Sequence, residues 1–193
     1  MRTRLVFIIA FLAAACARDP LPEECPDLAA GDLVISEIRG AQSGSTDTLG
    51  QWIEIYNASG HVVELQGLTL RMQHLDGSGD VAILVRAERQ VAVGGYATLG
   101  RFAAGSEPSY VTYGFLDDFA SNLYSSGAVD VRSCDALIDR TTYRSLPTGG
   151  TLALDGTNEP DATANDDAAH WCTDASGVNH PGTPQERNPP CGL

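Results

Sequence analysis

Two short runs near the start of the chain constrain its fold more than anything else: Leu33 to Arg39 and Gln51 to Asn57, within GDLVISEIRG…QWIEIYN. In the first, Leu33 and Ile35 alternate with Val34, Ser36 and Ile38. In the second, Ile53 and Ile55 alternate with Trp52, Glu54 and Tyr56. Side chains point to opposite faces along a strand, so both runs predict β-strands with one well-buried face. Their β-branched and aromatic residues suit a pleated, half-buried surface. The intervening AQSGSTDTLG is rich in turn formers, and Asn57-Ala58-Ser59-Gly60 closes the second run. Asn57-Ala58-Ser59 also has the form of a glycosylation sequon, and it is expected to serve as a turn.

The same rhythm continues. Val62 to Leu65, Leu68 to Gln73, Val81 to Val85, Gln90 to Val93, Tyr96 to Gly100, Tyr110 to Phe115, Ala128 to Val131, Leu137 to Tyr143 and Thr151 to Leu154 all read as short strands. Breakers such as Asp76-Gly77 and Gly94-Gly95 separate them. Frequent turn signals between short strands predict an all-β sandwich or barrel rather than a βαβ fold. Residues 155–191 read as mostly coil.

Several of these segments, in order, resemble the lamin tail domain. The first strand ends in Ser36-Glu37, and Trp52 to Asn57 gives W-I-E-I-Y-N. Leu65-Gln66-Gly67-Leu68-Thr69-Leu70 gives L-x-G-x-x-L. Leu123 to Val131 is similar to the family's hairpin, with Asp130 and Arg132 where less charged residues are usual. Near the end come Trp171, then Gly182-Thr183-Pro184 and Asn188, with Gln185 where glycine is usual. The resemblance spans about Gly31 to Asn188. It implies an immunoglobulin-like β-sandwich and, because the family is not an enzyme family, no catalysis. No heptad pattern precedes the domain, so filament assembly is not implied.

The amino terminus sets the expected address. Arg2 and Arg4 precede an apolar run, Leu5 to Ala15, too short to span a bilayer. This is the pattern of a secretory signal over residues 1–15. Ala13-Ala14-Ala15 before Cys16 resembles the lipobox of bacterial lipoproteins, which implies lipidation at Cys16 and a membrane anchor. Ala17, rather than aspartate, favours outer-membrane sorting in the cell envelope. Residues 16–30 read as a tether with several prolines, and residues 31–191 as one sandwich domain.

Charge and cysteine count narrow the function further. The chain carries 12 basic and 25 acidic residues, a net charge of −13. Without Arg2 and Arg4 it is −15, which argues against a nucleic-acid partner. There is no lysine, which excludes a P-loop or a Schiff-base lysine. Besides Cys16, four cysteines remain: Cys25, Cys134, Cys172 and Cys191. An even number in an exported chain predicts disulfides, and three pairings are possible. Cys134 in a hairpin and Cys172 beside Trp171 suggest one bridge. Cys25 and Cys191, just outside the domain's two ends, suggest the other.

No catalytic constellation stands out. His61, His74, His170 and His180 are scattered outside H-E-x-x-H spacing, and no G-x-S-x-G elbow exists. Glu37 and Glu54 could form a carboxylate pair but are expected to tether strands or loops. Asp155, Asn158, Asp161 and Asp166, with Asn165 and Asp167, offer hard oxygen donors for calcium. Their spacing is not that of an EF-hand, and a solvated loop is the expectation. Trp52 and Tyr56 share a face and would make a binding patch if exposed, although a covering loop is favoured. The reading is therefore a lipid-anchored, non-catalytic surface module binding a protein or glycan through loops at 41–50, 101–122 and 155–169. The alternatives are an accessory to a surface nuclease or phosphatase system, since bacterial lamin-tail domains often accompany such enzymes, and calcium-dependent adhesion.

Overall fold

The computed structural model describes residues 24–43, 49–175 and 182–192. The expected signal segment, residues 1–15, and Cys16, Ala17 and His180 lie outside them. Twelve strands run β1 Leu33–Arg39, β2 Trp52–Asn57, β3 Val63–Glu64, β4 Leu68–Gln73, β5 Val81–Leu84, β6 Gln90–Val91, β7 Tyr96–Gly100, β8 Tyr113–Gly114, β9 Gly127–Ser133, β10 Ala136–Tyr143, β11 Thr151–Leu154 and β12 Trp171–Asp174. Two short 3₁₀ turns, Ala164–Asp166 and Ala168–His170, precede β12.

The strands form a six-stranded sheet in the order β12-β11-β1-β2-β7-β8 and a four-stranded sheet in the order β10-β9-β4-β5. A small pair, β3-β6, stands beside them. Every pairing is antiparallel except β7 with β8. The architecture is an all-β sandwich, as the alternating runs predict. The core is one cluster in which Leu33, Ile35, Ile38, Ile53, Ile55 and Leu99 meet Leu68, Leu70, Met72, Ile83, Val129 and Val131.

The first strand departs from simple alternation. The β1–β2 register runs Ile35↔Ile55 and then Glu37↔Glu54, so an extra residue is inserted at Ser36. A bulge of this kind shifts the side-chain phase by one. Ile38 therefore joins Leu33 and Ile35 in the core, instead of sharing a face with Val34 and Ser36. The β9–β10 hairpin closes on the two residues Cys134 and Asp135, with Ser133 opposite Ala136. Within it, Asp130 is buried and accepts both Arg140 Nε and Nη2 at 2.7 Å.

The cysteines pair differently from the expectation. All four form disulfides, but the bridges are Cys25–Cys134 and Cys172–Cys191, not Cys134–Cys172 and Cys25–Cys191. The physical reason is that β12 lies on the far edge of the six-stranded sheet, away from the β9–β10 turn. The chain end reaches the turn after β11, where the Gly156 amide donates to the Pro189 carbonyl, and this brings Cys191 to Cys172. The Cys191 amide also donates to Asp155 Oδ1 at 3.0 Å. The other bridge draws residues 24–30 onto the hairpin, so that part of the expected tether packs against the domain. Ser133 Oγ donates to the Pro26 carbonyl, and Leu28 packs against the core. Gly67 makes this possible: its φ is +86°, and a Cβ there would stand 2.0 Å from the Glu24 carbonyl oxygen. Two disulfides fit a protein of an extracellular or periplasmic compartment. Among the described residues, no helix is long and apolar enough to cross a membrane.

Candidate functional site

The bulge at Ser36 places Glu37 directly across from Glu54 on the face of the six-stranded sheet that points away from the core. Both side chains are fully buried. What buries them is the C-terminal segment 182–190, which crosses this face. Thr183 donates its amide to Glu37 Oε1 and Oε2 at 3.3 and 3.2 Å, and its hydroxyl to Oε2 at 3.4 Å. Thr151 Oγ1 also donates to Glu37. Glu54 accepts the Ser36 hydroxyl at 2.9 Å, the Thr98 hydroxyl at 3.3 Å and the Gln185 amide at 2.5 Å. Asn188 completes the attachment, donating to the carbonyls of Ser36 and Leu154. The glutamates thus hold a loop, as the sequence suggests.

Two facing carboxyls in a dry site cannot both ionise freely. Burial pushes Glu37 up to about 7, opposed by the Thr151 and Thr183 hydrogen bonds and reinforced by nearby Asp174. Burial also raises Glu54 well above the ordinary carboxyl range, and the charge of Glu37 raises it further. Asp139, on β10, is a third case. Burial raises it to about 6, although it accepts the Ile35 amide and Asn165 Nδ2, each at 2.7 Å.

These shifts fix the sign of a pH dependence. A carboxyl with a raised folded pKa binds more protons folded than unfolded across the window between the two values. Stability is then fully present below the unfolded pKa of 4.5 and falls as pH rises through about 7. The Glu37 shift alone corresponds to on the order of 3 kcal/mol. Urea midpoints should therefore fall between pH 5 and pH 8, and Glu37→Gln should flatten that slope. A midpoint that rises over this range would contradict the assignment.

Trp52 and Tyr56 do not form an exposed patch. Trp52 is 1% exposed and Tyr56 is 8% exposed. Gly182, at φ +111°, lies over the indole, and a Cβ there would come within 3.2 Å of Trp52 Cζ2. Tyr56 packs on Tyr96 with ring centroids 5.0 Å apart. Asn57 is likewise buried: its side chain donates to the carbonyls of His61, Val91 and Ala92. The sequon is a turn, and its amide is committed.

The acidic loop does not gather its oxygens. Asp155 accepts the Thr157 amide and hydroxyl besides the Cys191 amide, which hold its pKa below the usual carboxylate range. Asp161 accepts the amides of Thr163 and Ala164, and Asp167 that of Ala169. Asn158 and Asp166 are exposed. Each engaged carboxylate serves its own turn, in the manner of Asx turns. Among the described residues, no group of three or more His, Cys, Asp and Glu is placed to hold a metal ion. Asp161 and Asp166 instead line an open cleft of about 540 Å³ with Gly31, Leu137, Asp139 and Arg140.

Comparison of the chain with protein-family models finds no match, and none of the curated proteins matches it.

Proposed function

We propose that this chain is an exported, lipid-anchored β-sandwich of lamin-tail type that binds a protein or glycan of the bacterial cell envelope without catalysing a reaction. The observation that carries this reading is the fate of the carboxyls best suited to chemistry. Glu37 and Glu54 are sealed, and their oxygens accept from backbone amides and hydroxyls; Asp139, which borders the cleft, is committed to the Ile35 amide and Asn165 Nδ2. What remains open are loops and a cleft on a rigid scaffold, where recognition usually resides. The lipobox-like Ala13 to Cys16 and the disulfides are consistent with an anchored, exported protein.

The test has two arms. Fatty-acid labelling in cells should mark the wild type and not Cys16→Ala. The disulfide-bonded domain, used as bait in envelope extract, should retain a partner that is lost when Leu137 and Asp166 in the cleft are replaced. Turnover of a nuclease or phosphatase substrate by the pure domain, abolished by a single carboxylate substitution, would end this reading. Capture that requires calcium and is lost on replacing Asp161 and Asp166 with Asn would turn it towards adhesion.

A further inference from the structure

The segment crossing the Glu37–Glu54 face is attached in an unusual way. Residues 182–190 read GTPQERNPP and contain no large apolar side chain. Their hold on the sheet is polar: Thr183 to Glu37, Gln185 to Glu54, and Asn188 to the Ser36 and Leu154 carbonyls. Arg187 adds contacts at the rim, to the Gly156 and Thr157 carbonyls and to Glu159. Segments with little apolar burial are the ones that open locally, below the global unfolding threshold. Gln185 is also strained. Its φ of +67° lies in the left-handed region, which is unfavourable for a residue that carries a Cβ. The geometry persists because the Gln185 amide reaches Glu54.

Among the described residues, the neighbours that shift the pair's titration are hydrogen-bond donors and acidic groups. Asp174 adds negative charge beside Glu37. Tyr96 lies near Glu54 and is itself influenced by Glu159 and Arg187. Arg39, two residues beyond Glu37, donates Nη1 to the Gly50 carbonyl. With one proton on the pair, the protonated carboxyl can donate to a hydroxyl such as Ser36 or Thr98, each of which can also accept. With none, two like charges face each other in a dry layer.

We infer that residues 182–190 form a proton-controlled strap. It seals the outer face of the six-stranded sheet while Glu37 and Glu54 share a proton. When that proton passes to solvent base, water enters to hydrate both carboxylates and the strap lifts. Cys172–Cys191 keeps its far end tied to β12, so it swings rather than departs. Lifting uncovers Trp52 and the two glutamates.

Hydrogen exchange on the disulfide-bonded protein tests this, with rates corrected for intrinsic base catalysis. Protection of the amides around Thr183 and Gln185 should drop at least tenfold from pH 5.5 to pH 8.5, while that of β2 and β7 holds. Glu54→Gln should remove the drop. Strap protection that stays constant with pH, or that falls only in step with β2, overturns the inference. If Glu54→Gln does not fold, Trp171→Phe leaves Trp52 as the single indole reporter. Acrylamide quenching should then increase with pH, and quenching that stays flat from pH 5.5 to 8.5 overturns the inference equally.

Discussion

Replacing Cys25 and Cys134 with serine should destabilise the domain more than any other change to its covalent framework. The bridge closes a sequence separation of 109 residues, against 19 for Cys172–Cys191. The chain-entropy account assigns roughly 4–5 kcal/mol to the long closure and about 3 kcal/mol to the short one, with measured losses often smaller. The long bridge also fixes more native structure. Cys134 sits in the hairpin turn with φ +47°, and the segment it captures supplies the Pro26 carbonyl to Ser133 and Leu28 to the core edge. Urea midpoints of the two double-serine variants at one pH measure the difference. Peptide mapping without reduction should recover the 25–134 and 172–191 pairs. A Cys134–Cys172 peptide, or a larger loss from the short bridge, would contradict the fold described.

The disulfide pairing is not legible in the sequence. Counting cysteines gives their state, and adjacency to domain ends gives a guess at partners. The partner of Cys172 depends on β12, and β12 carries almost no strand signature. Trp171-Cys172-Thr173-Asp174 has little apolar alternation and follows an Asp- and Asn-rich stretch. It becomes a strand by pairing with β11, where Ala153 faces Cys172 and Leu154 faces Trp171. Local propensity yields here to a tertiary partner.

The central strands of both sheets, by contrast, are legible, because Ile53/Ile55, Leu68/Leu70/Met72 and Val129/Val131 each place their apolar side chains on one face. The bulge at Ser36 is not, since nothing in LVISEIR marks where the extra residue goes. That inserted residue decides the site. Without it, Glu37 would not stand opposite Glu54, and Ile38 would leave the core. For Trp52 the sequence points only to some neighbouring loop as its cover. The GTP and Asn188 signals of the lamin-tail resemblance lie in the segment that covers it. Gln185 takes a left-handed backbone, the conformation that glycine adopts at least cost.

Trp52 gives the sharpest separation between a structural and a surface role. It sits on β2 near the middle of the six-stranded sheet, opposite Arg39 on one side and Gly100 on the other. At 1% exposure it is among the largest fully buried side chains. Trp52→Ala should cost about 3–5 kcal/mol, the range for truncating a large aromatic in a packed interior. The cavity would open under Gly182 and beside the glutamate pair. Trp52→Phe should behave very differently. Among the described residues, the buried indole Nε1 has no hydrogen-bond partner, and an unmade bond of this kind carries its own desolvation penalty of about 1–3 kcal/mol. Phenylalanine forfeits ring area but removes that penalty, so its midpoint should lie within about 1 kcal/mol of the wild type. Denaturant unfolding of both variants at pH 5.5, where the strap is sealed, measures the contrast. If Trp52 instead served an exposed recognition patch, Trp52→Ala would leave the midpoint unchanged and weaken only partner capture.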